Sequence, residues 1–383
     1  MCSFSLLVGL IIAFLSSLIS EKLFGSNQYA NLIQLVSVQL VLTNISTLGM
    51  VLLRFEKENL KFLKVIIVNV VFALIFVYFF VMRWKLGLLG VFYAQACALF
   101  LSATMVTFYV RRLFTFRGYK LMTKMNLKYA LPQFPARIGS TILGEANRFF
   151  MLGYLTLGSI GIYSVSMKLA SSIQLVNTAF ILAWAPFMHA QFKNKDNKEV
   201  FANAFPLVVG ATFLCVCLIT LFSKEMVYLL ATEEFYSSYK YVGGLALFFS
   251  LYIIKETIDI GPKIREKTKY LSLTFLLSVI VNITSLFLLT QLFELKGVVV
   301  SMIITNLFLV VLSWFISNKL YYIPFSIPKF IVLFLPAISL SISIMFFDWS
   351  FLYRICIAVF CLAFYGILIM SYYKVLKAQN LKF

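Results

Sequence analysis

Residues 65–82 read VIIVNVVFALIFVYFFVM, bounded by Lys64 on one side and Arg83 on the other. Eighteen residues pass without a charge, and Asn69 is the one amide among them. As a helix this run would be about 27 Å long, close to the roughly 30 Å hydrocarbon thickness of a bilayer. A surface helix of a soluble protein keeps a polar stripe for water, and this stretch has none. It therefore reads as a transmembrane helix.

The same pattern recurs outward from it. Apolar stretches cover residues 1–20, 23–53 and 86–110, then 129–155 and 160–190, which contain a few charges. Residues 200–223, 241–260, 270–293, 297–318, 330–347 and 355–373 follow, which makes twelve in 383 residues. The eighth stretch is the weakest, because only residues 241–254 of it are free of charge. No connection is long enough to fold as a separate soluble domain. The composition agrees: 62% of residues are hydrophobic, 12% are charged and the mean hydropathy is +0.96. A soluble domain carries about a quarter charged residues, and disorder requires low hydrophobicity, so both are excluded.

Cytoplasmic loops of membrane proteins hold the excess of Lys and Arg. Assigning alternate connections to alternate sides places 23 of the 33 Lys and Arg on one side and seven on the other. The richer side holds both chain ends, so both termini are expected in the cytoplasm. A net charge of +19 would raise nucleic acid as a partner for a soluble chain. Here membrane topology accounts for it, and no nucleic acid is expected.

Three cations fit neither side: Arg137, Arg148 and Lys168 lie inside the fifth and sixth stretches. A lipid-facing cation at mid-bilayer costs roughly 2.5–3.5 kcal/mol, so all three are expected to face a watery interior as substrate-cavity residues. Arg137 and Arg148 are eleven residues apart, which places them within about 20° of one helix face and about 16 Å apart along the axis. Glu145 stands one turn from Arg148 and is a candidate partner for it. Lys255, Glu256 and Asp259, at the end of the eighth stretch, read as a solvated or gating cluster.

Catalytic signals are missing. His189 is the single histidine, and the six cysteines lie in or beside apolar stretches without metal-ligand spacing. No Gly-rich phosphate loop or nucleophile elbow occurs. The chain reads as a non-enzyme with no cofactor and no metal. Residues 1–20 lack a basic leader and a small-residue cleavage site, and read as a retained helix.

An internal repeat is also legible. Residues 23–29 (LFGSNQY) follow the first stretch as residues 230–236 (LATEEFY) follow the seventh. Asn69 corresponds to Asn282, and each is followed by a short loop with a basic residue and glycine, Lys85 to Gly87 and Lys296-Gly297. Stretches one to four thus read as a diverged copy of stretches seven to ten. Two stretches precede the second copy and none precedes the first, so the N-terminal lobe is expected to lack its two leading helices. The expected fold is an all-α polytopic membrane protein of about twelve transmembrane helices, in two pseudo-repeated lobes around a central cavity. Its parts are an N-terminal lobe over residues 1–127, a C-terminal lobe over 128–322, and two additional helices with a basic tail over 323–383.

From residue 128 the motifs become specific. Lys128-Tyr-Ala-Leu-Pro-Gln-Phe-Pro135 leads to Asn147-Arg148-Phe149-Phe150, then Gly161-Ile-Tyr-Ser164 with Lys168, then Ala183-Trp184-Ala185-Pro186-Phe187. Lys267-Thr268-Lys269, Asn282 and Lys296-Gly297 follow the same pattern. The chain resembles the Wzx-type O-antigen and polysaccharide-unit flippases of the multidrug/oligosaccharidyl-lipid/polysaccharide exporter superfamily, from about residue 5 to 320. It departs from them at Asn147, where the family usually has Asp, and in the two leading helices.

The resemblance implies a bacterial inner-membrane flippase that moves an undecaprenyl-diphosphate-linked oligosaccharide by alternating access of two lobes. It implies a cationic cavity formed by Arg137, Arg148 and Lys168, with Glu145 and Asn147 in a coupling or supporting role. Membrane lipids, a coupling ion (H+ or Na+), and polysaccharide polymerase and chain-length proteins are the partners it implies. The alternatives are a flippase for another lipid-linked cell-wall precursor or teichoic acid, and a truncated, inactive member of the family. A membrane polymerase or glycosyltransferase would need a large outer loop, and the largest outer connection, residues 224–240, is too small.

Overall fold

The computed structural model describes residues 2–56, 58–113, 134–192, 194, 196–265, 267 and 269–378. It divides into two compact units, Met1–Lys120 and Leu121–Phe383. All regular structure among the described residues is helical.

In the first unit, α1 (Cys2–Phe14) and α2 (Ser16–Phe24) form a pair bent by 62°. A short 3-10 turn leads into α3 (Ala30–Phe55), then come α4 (Asn59–Val77) and α5 (Gly87–Val110). A π-helical turn, Tyr78–Arg83, ends α4 and brings the chain round to α5. The buried positions of α5 include Ala94, Ala98, Ser102, Val106 and Val110, four apart. This narrow stripe lets α3 and α4 approach closely, the usual means of helix packing in lipid.

The second unit contains α6 (Phe134–Tyr154), α7 (Leu157–Ala170), α8 (Ile173–Gln191) and α9 (Asn197–Leu221). The short α10 (Ser223–Leu230) precedes α11 (Tyr239–Ile258) and α12 (Ile260–Ile264). Then follow α13 (Lys269–Leu320), α14 (Ile327–Phe346) and α15 (Phe351–Ala378). The core of this unit is built around α11, whose Leu245, Leu251, Ile253, Ile254 and Ile258 are fully buried. It packs against α9, α13 and α14, while α15 lies along α9.

The 52 residues of α13 would be about 78 Å long if straight, far beyond a bilayer. Glu294, with φ 51° and ψ −129°, breaks the helix, and two limbs, residues 269–293 and 295–320, fold back on each other. Gly297 makes the reversal feasible, because a Cβ there would lie 2.0 Å from the Leu289 carbonyl oxygen. Across the hairpin, Asn282 donates from Nδ2 to Thr305 Oγ1 at 3.2 Å. The corresponding hairpin in the first unit turns at Lys85 (φ 54°) and Gly87 (φ 55°), and Asn69 donates to Ser102 Oγ at 3.1 Å. The two asparagines matched by the repeat thus bridge the two limbs of equivalent hairpins.

Among the described residues, eight helices are long and apolar enough to cross a membrane, and the bent α1–α2 pair makes a ninth. One of the eight is α13, which crosses as two limbs. The protein is a multi-pass membrane protein. Helices α6, α7 and α8 are not among the eight. Polar and charged residues lower the apolarity of α6, and the sixth stretch is divided between α7 and α8 at Ser171–Ser172.

The last helix is held by an ionic contact that its sequence does not reveal. Arg354, counted above with the loop cations, is buried, and its guanidinium donates to both carboxylate oxygens of Glu225 at 2.6 and 2.7 Å. It also donates to the Leu221 carbonyl oxygen at 2.8 Å, pinning α15 to the end of α9 and to α10. Burial pushes the Glu225 carboxyl up, but the Arg354 hydrogen bonds and charge outweigh it and hold the group below its ordinary value. A depressed carboxyl contributes stability above its unfolded value of about 4.3 and loses it as pH falls through the folded value. Glu225→Gln should therefore cost about 1–2 kcal/mol at neutral pH, the carboxylate being partly solvated. It should also flatten the loss of thermal stability below about pH 4, as thermal unfolding at stepped pH will show.

Candidate functional site

The three sequence-predicted cations lie on α6 and α7. One face of α6, carrying Gly139, Asn147 and Met151, is buried. It packs on the first limb of α13, where a Cβ at Gly139 would lie 3.0 Å from Phe275 Cβ. Arg148 follows Asn147 by one residue, about 100° round the helix, and is exposed along with Ile138, Ile142, Phe149 and Leu152. The backbone of Arg137 lies in the first turn of α6. The side chains of Arg137 and Glu145 lie outside the described residues.

Asn147 is fully buried, so it does not share the exposed face of Arg148. An ionised carboxylate there would be taken out of water, which is costly for a charged group. The neutral amide suits the packed position.

On α7 the Gly-x-Tyr-Ser-x-x-x-Lys element divides into two faces. Gly161 lies against the Phe235 ring, where a Cβ would meet Cε1 at 2.8 Å. Tyr163 is fully buried and donates to the Met302 sulfur at 3.5 Å. Ser166 donates to the Ser238 carbonyl oxygen at 2.8 Å. Lys168, about 140° from Tyr163 and about 160° from Ser166, is exposed and has no ion-pair partner among the described residues. The burial of Tyr163 removes it as a surface for stacking sugar. Trp184 is likewise core: it is 5% exposed and stacks on Phe180 with ring centroids 5.3 Å apart.

Thr156 caps α7, its side-chain oxygen accepting from the Ser159 N–H at 3.3 Å, and Leu155–Thr156 marks the turn between α6 and α7. Measured from that turn at 1.5 Å per residue, Arg148 lies about 10 Å along α6, Lys168 about 18 Å along α7 and Arg137 about 27 Å along α6. The three positions thus lie at different distances along the helices from that turn.

The Lys255 cluster requires a correction. Lys255 and Asp259 are 3% and 1% exposed at their side chains and lie 2.6 Å apart, so the pair is not solvated. Glu256 bridges Lys255 at 3.1 Å and Lys263 at 3.0 Å. The Lys255 ammonium also sits 4.4 Å from the centroid of the Phe275 ring. These contacts tie α11 and α12 to the α13 limb on which α6 rests. The i, i+4 spacing of Lys255 and Asp259 was the available signal, but their burial depends on packing by distant α13. Among the described residues, no group of three His, Cys, Asp or Glu side chains is placed to hold a metal ion.

Residues 1–192 match the family described as polysaccharide biosynthesis protein. No curated protein sequence matches the chain significantly. Among solved structures, the chain is similar to the lipid II flippase MurJ in an inward closed conformation, with TM-score 0.68 and 17% identity over 97% of this chain and 82% of that one. It is also similar to a mutant of the Vibrio cholerae MATE transporter VcmN, with TM-score 0.62 and 14% identity over 83% of this chain and 77% of that one. A multidrug resistance MATE family transporter of the MOP superfamily, in an outward-facing conformation, matches with TM-score 0.60 and 12% identity over 83% and 76%. At these identities the likeness establishes a shared fold.

Proposed function

We propose, proceeding from the premise that the chain belongs to the polysaccharide biosynthesis protein family, that it is a flippase for a lipid-linked oligosaccharide. Its substrate is an undecaprenyl-diphosphate-linked repeat unit of O-antigen or capsule type, moved from the cytoplasmic to the outer leaflet of the bacterial inner membrane. Both termini lie in the cytoplasm, and translocation is driven by alternating access with an H+ or Na+ gradient.

The observation that carries this reading is the placement of Arg148 and Lys168. Arg148 lies inside α6 and Lys168 in the last turn of α7, within the sixth apolar stretch, and both lie off the packed faces of those helices. Facing lipid, each would cost roughly 2.5–3.5 kcal/mol; facing a water-filled path, each supplies counter-charge to a diphosphate. The polyprenyl chain needs no such help, because it is soluble in the bilayer.

The fold shared with MurJ favours a lipid-linked cell-wall precursor as the second reading, and that substrate class also joins a polyprenyl chain to sugar through diphosphate. Expression in two hosts separates the readings, one lacking its repeat-unit flippase and the other its cell-wall-precursor flippase. Restored surface polysaccharide in the first supports the proposal. Rescue of the second host alone supports the second reading, and rescue of neither, with the chain present in the membrane, contradicts both.

A further inference from the structure

A groove of about 660 Å³ runs between the second limb of α13 and the first turn of α14. Its walls are apolar from Val310 to Phe315 on one side and at Ile327, Phe330 and Ile331 on the other. Phe315, Ile327 and Ile331 are exposed along it. Trp314 fixes the floor by edge contacts with Phe325 and Phe330, at centroid distances of 6.0 and 6.4 Å. The Asn318 amide, oriented to accept from Trp314 Nε1 at 2.8 Å and to donate to the Ile323 carbonyl oxygen at 3.3 Å, closes one end.

That end is cationic. Lys319 lines the groove, is exposed, and has neither an ion-pair nor a ring partner among the described residues. Arg265, exposed, donates from Nε to the carbonyl oxygen of Leu320, the residue after Lys319, at 3.3 Å. Two neighbouring cations are already engaged: Lys198 lies 5.1 Å from the Tyr321 ring and Lys329 lies 5.1 Å from the Tyr372 ring. Residues 318–329 contain no acidic side chain.

We infer that this groove holds one anionic phospholipid, its headgroup on Lys319 and an acyl chain along Trp314 and Phe315. Basic pockets at the ends of transmembrane helices recognise anionic headgroups in this way. The ten residues from Val310 to Lys319 span about 14 Å of helix, close to half of the roughly 30 Å hydrocarbon core. That length matches an acyl chain confined to one leaflet. The site is separate from the cations of α6 and α7, and the inference does not depend on what those cations carry.

The test uses the full chain, purified and delipidated in detergent. It is titrated with phosphatidylglycerol or phosphatidylcholine of identical acyl chains, and retained lipid is counted by native mass spectrometry. The wild-type chain should retain one phosphatidylglycerol with roughly fivefold preference, the factor expected of an interfacial cation. Lys319→Gln, at an exposed position, should bring the preference close to one without changing thermal unfolding. Ile331→Trp should fill the groove and abolish retention of both lipids; where it fails to fold, Lys319→Gln decides alone. Equal retention of the two lipids by the wild-type chain, or an unchanged preference in Lys319→Gln, overturns the inference. So does displacement of phosphatidylglycerol by an equal amount of undecaprenyl phosphate, which would make the groove a substrate site.

Discussion

Lys255→Met is expected to lower the stability of the folded chain by about 3–5 kcal/mol, the cost of leaving a buried charge without its partner. Asp259, 1% exposed at its side chain and 2.6 Å from the Lys255 ammonium, would lose its closest cation. Its remaining carboxylate neighbour, Glu256, would add repulsion. Asp259→Leu should be damaging for the converse reason. The double variant Lys255→Met/Asp259→Leu should recover much of the loss, because Glu256 keeps Lys263 at 3.0 Å and apolar groups of similar size can replace a buried pair. Thermal unfolding of the three variants in detergent checks this. Single variants as stable as the wild type would show that water reaches the pair and that its burial does not govern the end of α11.

Arg148→Gln is expected to reduce lipid translocation at least tenfold while leaving the amount of folded protein in the membrane unchanged. A hydrogen bond to a charged group contributes about 1.5–3 kcal/mol, or roughly 10- to 100-fold. Arg148 is exposed and lies off the packed face of α6, so the substitution leaves that face intact. Lys168→Gln should act in the same direction, and Lys168→Arg should retain most activity because a delocalised cation also binds phosphate. Asn147→Asp should differ in kind. It adds a charge to a fully buried position, so its expected effect is lost stability rather than lost transport alone. Wild-type flux in Arg148→Gln, at matched protein amount, would remove that residue from the substrate path.

The helical, membrane-spanning character was legible in residues 65–82 and their repeats, because period-free apolarity over about 20 residues has few other physical meanings. The hairpin at Glu294 was legible too: residues 270–293 and 297–318 read as separate spans, and Gly297 permits the close reversal. The correspondence of Asn69 with Asn282 gained physical content, since each bonds across its own hairpin. By contrast, nothing local distinguishes Arg354 from a loop cation. Its partner Glu225 is 129 residues away, and only packing of α15 along α9 brings them together. Lys255 failed as a solvated residue for the same reason, because Phe275 that covers it belongs to another helix.

The candidate site was legible by residue type and only partly by direction. Arg148 and Lys168 stand out in the sequence because a cation inside an apolar stretch is costly. The α7 motif did not announce that Tyr163 packs inward while Lys168 points away. That division follows from 100° of rotation per residue once the packed face is known, and contacts with Phe235, Met302 and Ser238 define that face. Asn147, adjacent to Arg148 in sequence, proved to belong to the packed face for the same rotational reason.

The most direct measurement is translocation by the purified chain in proteoliposomes loaded with a fluorescent undecaprenyl-diphosphate oligosaccharide. Outer-leaflet lipid is read by a membrane-impermeant quencher, for the wild type and for the double variant Arg148→Gln/Lys168→Gln. The account predicts protein-dependent exchange between leaflets in the wild type and exchange at the protein-free rate in the double variant. Equal exchange by the two proteins would contradict it.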